Sequence, residues 1–222
     1  MLYIVATPIG NLADLTLRAL DTLRSADYIL AEDKRVSAKL LAHYDIRKPL
    51  LVWQQHSSDR DWQKIKLLLQ TDKKVALITD AGTPGVSDPG GKLIELVLQQ
   101  LPEQKIVPIP GVSALTALIS VAGIALDHFS FLGFLPHKKG RQTLMTKIKN
   151  SDQPIIFFES VHRIMKTLEQ LRDCPKKLII GRELTKQFET IYRGTAREIA
   201  DILNKDPKQI KGEFTLIVTS KK

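Results

Sequence analysis

Residues 80–91, Asp-Ala-Gly-Thr-Pro-Gly-Val-Ser-Asp-Pro-Gly-Gly, are the stretch that most restricts how this chain can fold. A short apolar run at residues 75–79 precedes them, and a segment with helical apolar periodicity follows at residues 93–101. This pattern predicts a strand, a glycine- and proline-rich loop and a helix. Connections of this kind usually have only about 2–6 residues, and longer ones are often functional. Because α/β sheets bind ligands at the carboxyl ends of their strands, we expect a ligand-binding loop here, with a long surface turn as the alternative.

The first part of the chain repeats this alternation of strand and helix. Apolar runs that predict strands begin at residues 2, 28, 50, 75 and 105, and a segment of helical periodicity follows each of them. The alternation predicts a mostly parallel five-stranded sheet with helices on both faces. Asp14 is the predicted N-cap of the first helix.

The rhythm changes after residue 122. Strands are predicted at residues 129–134, 154–158, 178–180, 188–192 and 213–219, and some neighbours have no helix between them. Such strand pairs predict a mixed sheet. Thr195 and Glu198 form a predicted capping box for the last helix. We therefore predict an α/β protein with two domains, residues 1–122 and residues 123–222.

Length and composition predict an ordinary globular protein. The chain has 222 residues, of which 43% are hydrophobic and 26% charged. Its apolar runs are shorter than the roughly 18 residues that a membrane helix requires, and residues 1–5 read directly as a strand rather than as a signal peptide. Cys174 is the single cysteine, which excludes an internal disulfide and a multi-cysteine metal site. Together these features predict a cytoplasmic protein with no membrane segment.

The charge is strongly basic and uneven. The formal net charge is +9, and basic residues cluster in the second half, at residues 138–141, 147–149, 176–177, 205–211 and 221–222. A basic face of this kind is typical of proteins that bind polyanions, with RNA or DNA as the first candidates. A solvated lysine surface remains the alternative.

Common phosphate- and metal-binding motifs are missing. The sequence has no G-x-G-x-x-G, and residues 85–92 resemble a Walker A loop that is one residue too long and lacks the Ser or Thr. Asp80 and Asp88 would repel phosphates, so the loop better suits a ligand with a ribose or a positive centre. S-adenosylmethionine (SAM) has both. The five histidines lack metal-binding spacing, so no metal site is predicted.

Charged residues follow several predicted strand ends. They lie at residues 32–35, at Asp80, at Glu159 and at residues 182–183. Because carboxyl ends of strands build the sites of such sheets, these groups are candidates for function. Structural ion pairs remain the alternative.

Short motifs along nearly the whole chain carry a family resemblance. They occur at residues 6–12, 32–35, 80–90, 110–114, 133–136, 158–163, 182–186, 193–195 and 211–213. In this set the chain resembles the ribosomal RNA small-subunit methyltransferase I family, which are cytidine 2′-O-methyltransferases of 16S ribosomal RNA in the SAM-dependent tetrapyrrole-methylase superfamily. The chain departs from the family pattern at Lys34, Val112 and Val161. Many members carry a short extra C-terminal domain, whereas this sequence ends just after its last predicted strand.

The resemblance implies two α/β domains of tetrapyrrole-methylase type with a SAM cleft between them. It implies a homodimer that binds 16S ribosomal RNA or the 30S subunit through the basic second half. Carried over by position, the cofactor-binding residues would be Thr7, Pro8, Asp80, Ala81, Gly82, Val86, Ser87, Ser113, Ala114 and Glu159.

Methylation of a ribose hydroxyl requires help from the protein, because the hydroxyl is a poor nucleophile at neutral pH. Asp33, Glu183 and Lys186 are candidates for proton removal or alkoxide stabilisation, and with Arg35 they form the predicted catalytic set. Arg35, Arg163 and Arg182 are candidate phosphate clamps, since guanidinium matches phosphate bidentately. Phe134, Phe158 and Phe188 could stack an unpaired base, although core packing is the simpler interpretation.

Two other functions fit the same residues. The first is C-methylation of a tetrapyrrole on the same fold, because a polycarboxylate substrate would also favour a basic cleft. The second is a non-catalytic RNA-binding module without SAM affinity. A comparison of methyl transfer to 30S subunits and to uroporphyrinogen distinguishes the first alternative from RNA methylation. Calorimetry with SAM tests the second, because a module without SAM affinity would give no binding.

Overall fold

The computed structural model describes residues 1–220 and divides into two compact units. The first is Met1–Ser113 and the second begins at Ala114. The domain boundary predicted from the sequence lies at residues 122 and 123.

The first unit is a parallel sheet with helices on both faces. Its strands pair in the order β3-β2-β4-β1-β5, and all of these pairs are parallel. The strands are β1 (Leu2–Val5), β2 (Tyr28–Ala31), β3 (Leu50–Val52), β4 (Val75–Leu77) and β5 (Ile106–Ile109). The helices are α1 (Leu17–Ser25), α2 (Lys34–His43), α3 (Asp59–Leu69) and α4 (Gly90–Gln100).

Alternation along the strands builds two cores in this unit. Leu2 and Ile4 pack into one cluster with Trp53 and Trp62, while Val5 packs into another beneath α1 and α2. Successive side chains point to opposite faces of a sheet, so both faces need a helical cover. The predicted doubly covered parallel sheet is confirmed.

Helix α1 begins later than the sequence suggested. A 3₁₀ turn at Leu12–Asp14 comes first, and Thr16 is the N-cap whose side chain accepts from the Ala19 amide. The prediction of Asp14 as the cap was wrong, because Asp14 belongs to the 3₁₀ turn that Asn11 caps.

The second unit is a mixed sheet with strand order β6-β7-β10-β8-β9. Strands β6 and β7 are parallel and the other neighbours are antiparallel, so the predicted mixed sheet is confirmed. The strands are β6 (Ser130–Phe134), β7 (Ile155–Ser160), β8 (Leu178–Arg182), β9 (Thr190–Gly194) and β10 (Glu213–Val218). The helices are α5 (Ala114–Ser120), α6 (Arg141–Asn150), α7 (Ile164–Gln170) and α8 (Ala196–Lys205).

These strand directions bring several segments to one edge of the second sheet. Strands β6, β7 and β8 all end there, and β9 and β10 both begin there. The predicted capping box of Thr195 and Glu198 at the start of α8 is confirmed. Within residues 1–220, none of the helices has the length and apolar character needed to cross a membrane.

Candidate active site

Three loops meet at the carboxyl ends of β4, β1 and β5, which are neighbours in the first sheet. Thr7 follows β1 and forms an isolated antiparallel bridge with Gly82 of the loop after β4. The Thr7 amide donates to the Gly82 carbonyl at 2.9 Å, and the Gly82 amide donates to the Thr7 carbonyl at 3.0 Å. The Thr7 hydroxyl also donates to the Thr79 carbonyl at 3.2 Å. The first two loops are therefore bound to each other.

The loop after β5 joins the same group. The Thr83 hydroxyl donates to the Val112 carbonyl at 3.0 Å. A Cβ atom on Gly111 would lie only 2.9 Å from the Cβ of Ala6, so this close approach requires glycine. Residues 6–10, 80–91 and 110–113 thus form one group of loops at the sheet edge. Residues 6–9 are buried, and most of residues 80–91 and 110–113 are exposed or half-buried.

Asp88 holds the shape of the long loop. Its Oδ1 accepts from the amides of Gly85, at 2.7 Å, and Gly90, at 2.8 Å. Gly82, Gly85 and Ser87 adopt positive φ angles of 79°, 93° and 66°. The Asp88 carboxylate is therefore engaged within the loop, and Asp80 is the acid that faces outward.

Asp80 lies within a small acidic group. Its Oδ1 accepts from the Asp33 amide at 3.0 Å, and its own amide donates to Glu32 Oε2 at 3.5 Å. Burial and then the Asp33 charge raise the pKa of Asp80. Burial, with the Asp80 and Asp88 charges, raises the pKa of Glu32.

An open groove of about 630 Å³ lies beside this group. It is lined by Glu32, Asp33, Lys34, Arg35, Val52, Gln54, Gln55, His56 and Asp80. Arg35 donates to the Asp33 carboxylate at 2.6 Å and keeps 88% of its side chain exposed. The hydrogen bond from the Arg35 side chain, with that from its amide, lowers the pKa of Asp33 to about 2. Asp33 also caps α2, and its low pKa makes its ionised carboxylate a weak base near neutral pH.

The second unit has its own charged cluster at the turn after β8. Lys186 Nζ donates to Glu183 Oε1 at 2.9 Å and to Glu213 Oε2 at 2.8 Å. The Glu213 amide donates to the same Glu183 oxygen at 3.0 Å. Glu183 and Thr185 adopt φ angles of 50° and 67°, a region that is costly for side chains other than glycine. A strained turn therefore presents an ion-paired lysine.

The ion pairs fix the charges of this cluster. Partial burial opposes the ionisation of Glu183, but hydrogen bonds from Lys186 and the Glu213 amide outweigh it and lower the Glu183 pKa. Partial burial also opposes the charge of Lys186, and the bonds to Glu213 and Glu183 outweigh it and raise the Lys186 pKa. At neutral pH the cluster holds an ammonium group between two carboxylates.

Glu159 lies in the interior of the second unit. Its side chain has 0% exposure, forms a salt bridge with Arg163 Nε at 2.8 Å, and accepts hydrogen bonds from Arg141 at 3.1 Å and Thr167 at 2.7 Å. The carboxylate, predicted to contact the cofactor, is occupied by partners of its own unit. Its neighbour Ser160 donates its amide to Glu159 Oε1 at 2.9 Å.

All three predicted phosphate clamps have structural partners, and two of them are largely buried. Arg182 is buried and donates to the carbonyls of Lys211, Phe188 and Lys208. Arg163 donates to Ser160 Oγ and to the Leu135 carbonyl besides Glu159. Arg35 is the member of the three that keeps its guanidinium largely in solvent.

The remaining predicted cofactor residues lie in the loops described. Pro8 is buried beside Thr7, Ala81 and Ser87 are exposed, and Val86 and Ser113 are half-buried. Ala114 is the first residue of α5 in the second unit. Glu213 and Gly212 belong to the motif at residues 211–213, and the sequence predicts no individual role for either of them. A Cβ on Gly212 would lie 2.5 Å from Glu183 Cγ, so this glycine permits the position of Glu183.

A match to a known family identifies the class of this protein. Residues 1–200 match the family described as Tetrapyrrole (Corrin/Porphyrin) Methylases, and the chain belongs to that family. Solved structures share its fold. Cobalt precorrin-4 methyltransferase, a cobalamin biosynthetic enzyme, has a TM-score of 0.69 and 18% identity over 98% of this chain and 94% of its own. Diphthine synthase has a TM-score of 0.71 and 16% identity over 98% and 89%.

Relatives with higher identity define the particular family. The protein of Haemophilus influenzae is 42% identical over 100% of this chain and 79% of its own length. The protein of Thermotoga maritima is 42% identical over 99% of this chain and 98% of its own length. Both are named ribosomal RNA small subunit methyltransferase I, and the chain belongs to this family. The resemblance seen in the sequence motifs is confirmed.

Proposed function

We propose that this protein transfers a methyl group from SAM to ribosomal RNA of the small subunit. The observation that carries the proposal is the set of relatives that are 41–46% identical over most of the chain and share the name ribosomal RNA small subunit methyltransferase I. A uroporphyrin-III C-methyltransferase from Thermus thermophilus, which has the same fold, was solved as a complex with S-adenyl homocysteine, and this supports SAM as the cofactor.

The loops of the first unit fit such a cofactor. SAM supplies a methyl group on a cationic sulfonium, and it also carries a ribose and an amino group. Asp80 and Glu32 provide carboxylates whose pKa values are raised by burial and by the charges of neighbouring acids, and a cation would stabilise their ionised forms. We infer that Thr7, Pro8, Asp80, Ala81, Gly82, Val86, Ser87 and Ser113 hold the cofactor, together with Ala114.

The structure restricts how Glu159, predicted to bind the cofactor, could take part in binding it. Because its carboxylate is buried and satisfied, any contribution to cofactor binding would come from its main chain or through the strand that it supports.

Lys186 is the group that we propose for stabilising the nucleophile. Its raised pKa keeps it protonated, so it can stabilise developing negative charge on a ribose oxygen but cannot remove the proton. Glu183 is ionised and orients the ammonium group through its 2.9 Å hydrogen bond. Arg35, exposed at the rim of the groove, is the proposed phosphate contact.

The finer statements are part of the same proposal. We propose the 2′-oxygen of a cytidine in 16S ribosomal RNA as the acceptor and the 30S subunit as the assembled substrate. A homodimer is the proposed oligomer. The cytoplasm is the proposed compartment, because ribosomal subunits are found there.

Methyl transfer from radiolabelled SAM to purified 30S subunits tests the function. The subunits come from cells that lack this protein, and methylated positions are mapped in their 16S ribosomal RNA. We expect incorporation with the wild-type protein and loss with Asp80→Asn, whereas Asp72→Asn, an exposed change outside the loops, retains activity. Incorporation into uroporphyrinogen instead would favour tetrapyrrole methylation. Absence of SAM binding in calorimetry of the folded protein would leave only an RNA-binding role.

A further inference from the structure

Strand β6 carries an irregularity that aligns aromatic rings. Phe131 pairs with Ile156 and Phe134 pairs with Phe158, so three steps along β6 correspond to two along β7. Gly133 lies within the irregularity at φ 61°. In a regular strand, residues three apart point to opposite faces, whereas a bulge restores them to the same face. Both rings accordingly contact Phe158, with centroid distances of 5.1 Å for Phe131 and 5.3 Å for Phe134.

The last ring of this row is exposed. Phe134 keeps 55% of its surface in solvent, while Phe131 and Phe158 are half-buried. It ends an edge strand, and His137, Lys138 and Lys139 follow it, all of them exposed. An aromatic face supported by further rings thus lies beside cationic side chains.

The buried arginine network holds the backbone that links these features. Arg163 Nη1 donates to the Leu135 carbonyl at 2.5 Å, and Arg141 Nη1 donates to the Pro136 carbonyl at 3.3 Å. Both arginines are fixed by the Glu159 carboxylate. The main chain of residues 135 and 136, directly after Phe134, is therefore held by hydrogen bonds to the interior, and the Phe134 ring lies on a rigid segment.

We infer that residues 134–139 form an RNA-binding segment in which Phe134 stacks on one unpaired nucleobase and Lys138 and Lys139 contact the flanking phosphates. This inference deepens the proposed function and rests on it, since it assigns the substrate contact of the second unit. Stacking platforms beside basic side chains are how proteins bind single-stranded nucleic acid. The chemistry favours RNA over a second copy of this chain, because two copies of a cationic segment would repel each other.

The segment lies on the same sheet edge as the Lys186 cluster. Strand β6 is three strand positions from β8, which corresponds to about 14 Å. At that separation the stacked base and the reacting ribose belong to different nucleotides. Phe134 therefore acts on RNA affinity and placement rather than on the reacting atoms.

Fluorescence anisotropy with an end-labelled single-stranded RNA of about 12 nucleotides, without SAM, measures the binding step. We expect Phe134→Leu and Phe134→Ala to weaken binding by between about 5- and 150-fold, the range for loss of one stacked base. Phe134→Trp retains affinity, and its fluorescence is quenched by the RNA, whereas Trp53 and Trp62 are buried and give a constant background. The matched control is Leu67→Ala, which removes an exposed apolar side chain on α3.

Each other outcome overturns the inference. Wild-type affinity in Phe134→Leu, or an unquenched Phe134→Trp, removes the stacking role. A change of oligomeric state by light scattering, with unchanged RNA affinity, would assign Phe134 to a subunit interface instead.

Methylation assays separate this inference from the function on which it rests. If the wild-type protein methylates 30S subunits while Phe134→Leu does so with an unchanged KM for them, the inference fails and the function stands. If the wild-type protein binds RNA through Phe134 but methylates no ribosomal RNA, the function fails. Near-ultraviolet circular dichroism confirms that each variant is folded.

Discussion

Carboxylates of this protein differ in charge behaviour because their immediate neighbours differ. Asp33 accepts hydrogen bonds from Arg35, which lowers its pKa to about 2. Asp80 and Glu32 are partly buried next to other acids, which raises their pKa values. Asp33 is therefore an ionised helix cap, whereas Asp80 carries a negative charge that a nearby cation would stabilise.

This difference predicts a pH dependence for cofactor binding. A cationic ligand favours ionised Asp80 and Glu32, and carboxyls with raised pKa values begin to take up protons at higher pH than ordinary ones. We expect the Kd for SAM to be constant near neutral pH and to rise as the pH falls through these raised values. Calorimetry at a series of pH values measures it, and Asp80→Asn should bind more weakly with a flatter profile. An unchanged profile in that variant would exclude Asp80 from the site.

The Lys186 ammonium gives a second prediction. Lys186→Ala should lower kcat by roughly 100- to 1000-fold, the usual loss when a group that stabilises a developing oxyanion is removed. The KM for SAM should change little, since the first unit carries the proposed cofactor loops. Steady-state methylation of 30S subunits measures both constants, and Lys166→Ala, an exposed lysine on α7, is the control. A normal kcat in Lys186→Ala would assign the ion pairs a purely structural role.

Removal of Glu159 should affect stability rather than chemistry. Glu159→Ala leaves the buried Arg141 and the half-buried Arg163 without their carboxylate, and breaking a buried ion pair in this way typically lowers the free energy of unfolding by about 3–5 kcal/mol. Urea denaturation followed by circular dichroism measures the change. Glu169→Ala removes an exposed pair with Arg172 and should cost about 1 kcal/mol or less. Equal losses in the two variants would contradict the buried network.

At the scale of elements, the irregularity of β6 and the turn after β8 depart from regular geometry. The irregularity of β6 contains Gly133, which has a positive φ angle. The turn after β8 depends on Gly212, which leaves space for the Glu183 side chain. Bulges and strained turns are frequent next to functional sites, where they redirect side chains. In this protein they direct Phe134 and Lys186 to the same edge of the second sheet.

Gly133→Ala tests the first of these departures. A side chain at φ 61° is disfavoured by about 1–2 kcal/mol, so we expect a loss of that size in the free energy of unfolding. Gly91→Ala is the control, because its Cβ would meet no atom within 4 Å and it lies within α4 at an ordinary φ. The control should be neutral or stabilised. If Gly133→Ala were equally neutral, the backbone of β6 would not depend on glycine.

The sequence predicts the elements well and their interior partners poorly. Apolar runs and helical periodicity place the strands and the mixed or parallel character of each sheet, because those signals are local. The roles of Glu159, Arg163 and Arg182 could not be predicted, since a charged residue after a strand reads the same whether it faces solvent or a buried partner. Arg141 and Thr167, which bind Glu159, lie 18 and 8 residues from it in sequence, and no local pattern connects them.

At the scale of the whole molecule, the net charge of +9 overstates the number of basic groups that a polyanion can reach. Arg141 and Lys176, both in predicted basic clusters, are buried, and Lys176 donates to the carbonyls of Ile148 and Ser151. Lys138 and Lys139 remain exposed, as do Lys205, Lys208 and Lys211. Residues 221–222, which the sequence predicts as part of the basic surface, lie outside the described residues.

Salt dependence measures how many of these charges bind RNA. Each phosphate neutralised on a single strand contributes about 0.7 to the slope of log K against log salt. Combined Lys138→Ala and Lys139→Ala should reduce the slope by about 1.4, whereas Lys73→Ala with Lys74→Ala in the first unit should leave it unchanged. Equal slopes in both double variants would place the phosphates elsewhere.

The pairing of Thr7 with Gly82, and of Thr83 with Val112, has a consequence for anyone who redesigns this protein. Segments that lie far apart in the sequence complete each other's hydrogen bonds, so none of them is an independent module. Residues 80–91 moved alone into another protein would lack Thr7 as the partner of the Gly82 amide and carbonyl, and each buried polar group left unsatisfied costs about 1–3 kcal/mol. A new ligand preference would have to be transplanted as three segments at once.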